Sequence, residues 1–211
     1  MKKHILSVQL QVSEEERARL VALQQAFSEI CNALVPVVWQ TRCWNRVGLH
    51  HMAYHALRNR FPRMGSQMVC NAIYSVSRAY RIVPKVADKP LPFLKFLPGA
   101  PVFFDRHTVS IKDHQISMYT LDGRIRFGFA LPKEVLEVFE QERLREIVLH
   151  RRNETFSLSF CMQEGKGAGK AAPGELPEYL VLLPEAPAMP DMAVGASFDV
   201  PSAQLTEPLE A

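Results

Sequence analysis

Between Pro101 and Phe129 the chain reads PVFFDRHTVSIKDHQISMYTLDGRIRFGF, and this stretch limits the fold more than any other. Polar and apolar residues alternate through Thr108-Val109-Ser110-Ile111-Lys112 and again through Gln115-Ile116-Ser117-Met118-Tyr119. A period of two suits a strand with one buried face. Asp113-His114 and Asp122-Gly123 interrupt the alternation with turn-forming residues. The pattern predicts two or three antiparallel strands, curled into a sheet whose outer face carries positive charge.

A first strand is expected over Lys3 to Val12, before a predominantly helical segment. Ser13 and Glu16 form a capping box, and Leu20, Leu23, Phe27, Ile30, Cys31 and Leu34 mark the buried face of the helix it opens, with Pro36 predicted to kink or break it. A second helix is expected from Gly48 to Phe61, stopped by Pro62, and a third from Ser66. His50, His51 and His55 share helical spacing, but the Glu of a metalloprotease helix is missing and no third ligand is indicated, so no metal and no cofactor is expected. On the third helix Gln67, Asn71, Ser75 and Arg78 recur at spacings of four, four and three. Amides and an arginine on one helix face are equipment for reading base edges, and a merely solvated polar face is the competing reading.

Five prolines between Pro84 and Pro101 predict a connection, and Pro132 to His150 reads as a helix. Thr155 to Cys161 and Tyr179 to Leu183 read as strands. GKGAGK between them lacks the full phosphate-loop pattern and reads as a hairpin tip. The acidic, proline-rich segment from Pro184 is expected to be flexible.

Charge is segregated. From Gln40 to Lys112 there are twelve Lys or Arg against two acids, whereas Ala171 to Ala211 holds seven acids and no base. The basic middle fits a polyanionic partner, with solvated helix faces as the alternative. No run of about 18 apolar residues or secretory signal is evident, which predicts a cytoplasmic protein with no membrane contact, and a nucleic-acid partner would make it nucleoid-associated. The cysteines have no zinc spacing and are read as reduced structural thiols.

The order of these elements resembles the amino-terminal half of the OrfB/TnpB family of insertion-sequence proteins, ancestral to type V CRISPR effectors. The likeness is carried by Ala33 to Trp39, by LHHMAYHALRNRFPRMGSQMVCNAIYSVSRAYR (Leu49 to Arg81), and most specifically by Phe103 to Phe129. The resemblance implies an α+β fold: a small antiparallel, wedge-like β-barrel from residues 1–12 and 100–183 (with the helix 132–150), an inserted helical recognition unit at 13–99, and an acidic tail at 184–211. It implies that the two folded parts grip a guide RNA and read a short motif in duplex DNA. Gln67 and Asn71 then match helix positions facing the bases, joined by Ser75 and Arg78, and the step Gly123-Arg124-Ile125-Arg126 matches the strand nearest the nucleic-acid backbone. Arg58, Arg60, Arg63, Arg81, Arg106 and Lys112 complete the expected backbone contacts, and Tyr54 is a candidate for stacking. Family nucleases continue into an RNase-H-like domain, whereas here MPDMAVGASFDVPSAQL (Met189 to Leu205) leads to the last residue with only Asp191 and Asp199. The expectation is therefore a binding platform without its own nuclease, acting as an RNA-guided subunit or repressor. An RNA-independent DNA-binding regulator, or one half of a split nuclease or ribonucleoprotein with a protein partner supplying cleavage, are the alternatives.

Overall fold

The computed structural model describes residues 3–83, 91–105, 107–112, 115–128, 143–163 and 176–183. Helix α1 (Glu14–Thr41) follows strand β1 (Lys3–Gln9) and packs against both later helices. Its first turn is closed reciprocally: Glu16 N donates to Ser13 Oγ over 3.2 Å, and Ser13 N donates to the Glu16 carboxylate over 2.8 Å. Of the expected kink or break at Pro36, the break does not occur: α1 runs through it to Thr41. Leu34, Val35 and Val38 around it are fully buried. Each contributes about 1.5–3 kcal/mol, together more than the roughly 3 kcal/mol cost of an interior proline.

A buried polar row shares α1 with this apolar face. Gln24, Ser28 and Asn32, four residues apart, bind backbone of the segment after Leu91: Gln24 Nε2 donates to the Ala100 carbonyl (3.3 Å) and Ser28 Oγ to that of Leu97 (2.8 Å). Asn32 pairs both ways with Phe96, at 2.9 and 2.8 Å. The proline-rich stretch is thus more than a connection: it contains β2 (Phe93–Phe96), with Phe93, Leu94 and Phe96 buried. Backbone groups taken from water there need partners, and α1 supplies them.

Asn45 caps α2 (Arg46–Arg60) by accepting from Val47 N (2.8 Å) and Gly48 N (3.4 Å). Helix α3 (Ser66–Ile82) packs against both earlier helices and buries Met68, Val69, Ala72, Ile73, Val76 and Tyr80. Burial pushes the Cys31 thiol of α1 well above its ordinary range, against the opposing hydrogen bond of Ser75.

The remaining strands are β3 (Val102–Phe104), β4 (Val109–Lys112), β5 (Gln115–Thr120), β6 (Gly123–Gly128), β7 (Arg143–Arg152), β8 (Thr155–Gln163) and β9 (Leu180–Leu183). They form an antiparallel four-stranded sheet in the order β1-β8-β7-β3, a β2-β9 pair and a three-stranded β4-β5-β6 sheet. The chain is α+β, and among the described residues its strands form these three separate sheets with no closed barrel. The Pro101 to Phe129 stretch is divided between two of them, because Asp105 turns the chain after β3. Its Oδ1 accepts from His107 N (2.9 Å) and Thr108 N (3.1 Å).

Residues 143–150 of the expected helix 132–150 are strand β7, and 132–142 lie outside the described residues. Ile147, Val148 and Leu149 are consecutive and all buried, so both faces of β7 are covered over this stretch. A strand buried on both sides loses its alternation, and the charges around it imitate helical spacing. The β7–β8 hairpin turns at Asn153 (φ 54°), in a left-handed conformation that Asn tolerates. Helix α1 is long and apolar enough to cross a bilayer, which the sequence reading had not expected, and half of its most apolar window is buried in the protein's own core.

Candidate nucleic-acid interface

The alternation read in β4–β6 places its two faces as expected. Val109, Ile116, Met118, Ile125 and Phe127 are buried, while Ser110, Lys112, Gln115, Tyr119, Arg124 and Arg126 are exposed. Tyr119 stands directly opposite Arg124, and Ser117 opposite Arg126. The Arg124 guanidinium lies 4.9 Å from the Tyr119 ring centroid. Its Nε donates to Ser117 Oγ (3.0 Å), and its Nη2 to the Ser117 carbonyl (3.3 Å) and Ser110 Oγ (3.4 Å). All three acceptors are neutral, so among the described residues the guanidinium is oriented without a carboxylate partner. No outward-facing position of these strands carries a carboxylate among the described residues.

The β5–β6 turn is held by two arginines from the helical part. Arg19 of α1 donates to Thr120 Oγ1 (2.9 Å) and to the Asp122 carbonyl (3.0 Å), and Arg63, between α2 and α3, forms an ion pair with the Asp122 carboxylate. Gly123 follows with φ 86°, a conformation glycine adopts without strain. The sheet is therefore fixed to the helices at its turn while its outer face stays open. Neither Arg19 nor Tyr119 had been singled out by sequence, and the signal available for Tyr119 was its place in the polar phase of the alternation.

The α3 row has a different environment. Asn71 and Ser75 are buried, with 7% and 5% of their surface exposed, so neither presents a polar edge to an external groove in this conformation. Asn71 Nδ2 has no hydrogen-bond partner among the described residues. Gln67 donates to the Asp105 carboxylate and so holds the β3–β4 turn. Arg78 forms a two-oxygen ion pair with Glu146 of β7, both contacts at 2.7 Å, and its guanidinium lies 5.3 Å from the Phe103 ring centroid. Although burial opposes its charge, the Glu146 hydrogen bonds and charge keep Arg78 firmly protonated. The outward row of α3 is shifted from the expected one and runs through Gln67, Cys70, Tyr74, Arg78 and Arg81, with Arg46 of α2 lying 5.4 Å from the Tyr74 ring centroid.

The other expected contacts are dispersed. Arg58 donates to the Met64 carbonyl and closes the α2–α3 loop, whereas exposed Arg60 lies 5.4 Å from the Phe61 ring centroid. Arg81 is exposed at the end of α3, and Arg106 lies outside the described residues, as do Asp191, Asp199, GKGAGK and residues 184–211. His50 stacks on Tyr54 at 4.6 Å. Among the described residues no group of three or more His, Cys, Asp or Glu is placed to hold a metal ion. The structure thus brings Lys112, Arg124 and Arg126 onto one open face and leaves the α3 row partly committed to internal contacts.

A scan against protein-family models returns no match for this chain, and a search of curated proteins returns none.

Proposed function

We propose that this chain is a nucleic-acid-binding module of the TnpB and type V lineage, gripping a guide RNA on the outer face of β4–β6 and meeting a short duplex motif through the outward edge of α3. The observation that carries the reading is the pairing of charge and aromatic surface on that sheet: Arg124 oriented by neutral acceptors over Tyr119, with Arg126 and Lys112 on the same face. Phosphates are the ligands such a face attracts, and Arg meets them with a planar fork of donors.

In this reading the strands from 1–12 and 100–183 are the wedge-like part and 13–99 is the helical recognition unit. Arg19 and Arg63 tie the two together at the β5–β6 turn. Gln67 and Arg81 are the α3 side chains with surface to offer a duplex, while Asn71, Ser75 and Arg78 hold the helix in place. The module acts by binding, as a guided subunit or repressor, and a partner protein supplies any cutting.

The test is purification of the full chain from its host followed by sequencing of co-purified RNA. A discrete RNA species, lost from an Arg124→Ala, Arg126→Ala double variant, is the expected result. Absence of any discrete RNA, with binding to duplex DNA retained, replaces the guided reading with that of an RNA-independent DNA-binding regulator.

A further inference from the structure

The outer face of β4–β6 combines an exposed aromatic with positive charge, and phosphate binding alone uses only the charge. Tyr119 lies on the central strand of this sheet, 39% exposed, with the core on the opposite face filled by Ile116, Met118, Ile125 and Phe127. Its ring packs on the Arg124 guanidinium, whose donors are anchored to Ser117 and Ser110. We propose that this Tyr119–Arg124 pair is a stacking platform for an unpaired nucleobase, so that the face selects single-stranded over duplex nucleic acid. The inference rests on the nucleic-acid reading above and adds the class of strand bound.

Three features support it. The Arg124 guanidinium already sits over the Tyr119 ring, so a base adds a further layer to an existing stack, and Arg124 cannot swing away without losing its hydrogen bonds. Arg124 and Arg126 project from the same face of β6 two residues apart, about 6.7 Å along a strand. This spacing suits successive phosphates of an extended strand, with the base between them directed at the ring. Finally, a base within a duplex has both faces covered by its neighbours, so only an unstacked base can use the platform. The sheet carries no row of amide side chains that would read base edges, and sequence-tolerant binding is expected.

Fluorescence anisotropy with the full chain tests this using three labelled probes: an oligouridylate of about 12 nucleotides, an abasic ribose-phosphate strand of the same length, and a duplex. Tyr119→Ala is expected to weaken oligouridylate binding about tenfold, as loss of one stacked base does, while leaving the abasic strand and the duplex unchanged. Tyr119→Phe is expected to retain binding. Tyr119→Thr, which keeps strand propensity, serves as a second variant if the alanine protein does not fold. Equal weakening on the oligouridylate and abasic probes, or no weakening on either, overturns the platform. If Arg126→Ala still lowers the salt dependence in that case, the phosphate-binding reading survives. If the unmodified chain binds none of the probes, that underlying reading falls with the platform.

Discussion

Two regions carry similar side chains and do different things with them. The outer face of β4–β6 and the polar row of α3 each combine arginine with uncharged hydrogen-bonding residues. On the sheet, the acceptors that Arg124 meets among the described residues are hydroxyl and carbonyl oxygens, with no carboxylate. On α3, Arg78 meets both oxygens of Glu146, and Gln67 is engaged by Asp105. The kinds of residue are therefore a poor guide to binding; whether the charge already has an internal counterpart decides it. The same arginine chemistry is presented at the surface in one region and serves assembly in the other.

The largest effect should come from the sheet. Replacing Arg124 and Arg126 together by alanine is expected to weaken nucleic-acid affinity by about tenfold or more at moderate salt and to lower the slope of log affinity against log salt by about 1.4 on a single strand. A titration series across salt concentrations measures both, and an unchanged slope would break the contrast between the two regions. Next is Arg78→Ala, for which a loss of about 1–2 kcal/mol in chemical unfolding is expected, because Glu146, with most of its surface covered, loses this ion pair. Its nucleic-acid affinity should change less than that of the sheet variant; a larger change would return Arg78 to the recognition surface.

Gln67→Ala is expected to cost about 1 kcal/mol by releasing the β3–β4 turn, seen as faster amide exchange at His107 and Thr108. The smallest effect concerns pH. Burial lowers the proton affinity of His150, partly offset by Glu146, so the folded state favours its neutral form. Its contribution is present above the unfolded value near 6.5 and is lost as pH falls through the lower folded value. Thermal melts from about pH 7.5 to about pH 5 should therefore show a smaller acid loss for His150→Gln than for the unmodified chain. Equal losses would show that His150 does not contribute to the acid sensitivity of the fold.

The parts legible in the sequence are those whose cause is local. Ser13 and Glu16 announce the start of α1 because a capping box is satisfied within four residues, and Phe156, Leu158 and Phe160 announce β8 because one face of that strand is buried and the other is not. β7 was misread because burial on both faces erased its period. The α3 row illustrates the same limit for a site. Gln67, Asn71, Ser75 and Arg78 do recur at helical spacing, but spacing alone does not say which face is covered when a helix packs against helices on one side and strands on another. Gln24, Ser28 and Asn32 form a comparable row on α1, and it serves backbone inside the protein. By contrast, the open outer face of β4–β6 followed from the alternation of Thr108 to Lys112 and Gln115 to Tyr119, which needs only one buried side, and Arg124 and Arg126 lie on that face.

The pairing of β1 with β8 bears on how the protein is made. Residues 3–9 find their hydrogen-bond partners at 157–163, and β7 and β8 pair only after both have been synthesised. At typical translation rates the first strand waits on the order of 10 s before its partner leaves the ribosome. The helices, whose contacts with one another lie within residues 14–82, can assemble during that interval. Throughout it β1 carries an unpaired edge and an exposed Ile5. The nascent chain is then a helical body trailing an unpaired strand, and chaperone capture or early association with a polyanion would act on that intermediate before the four-stranded sheet is complete.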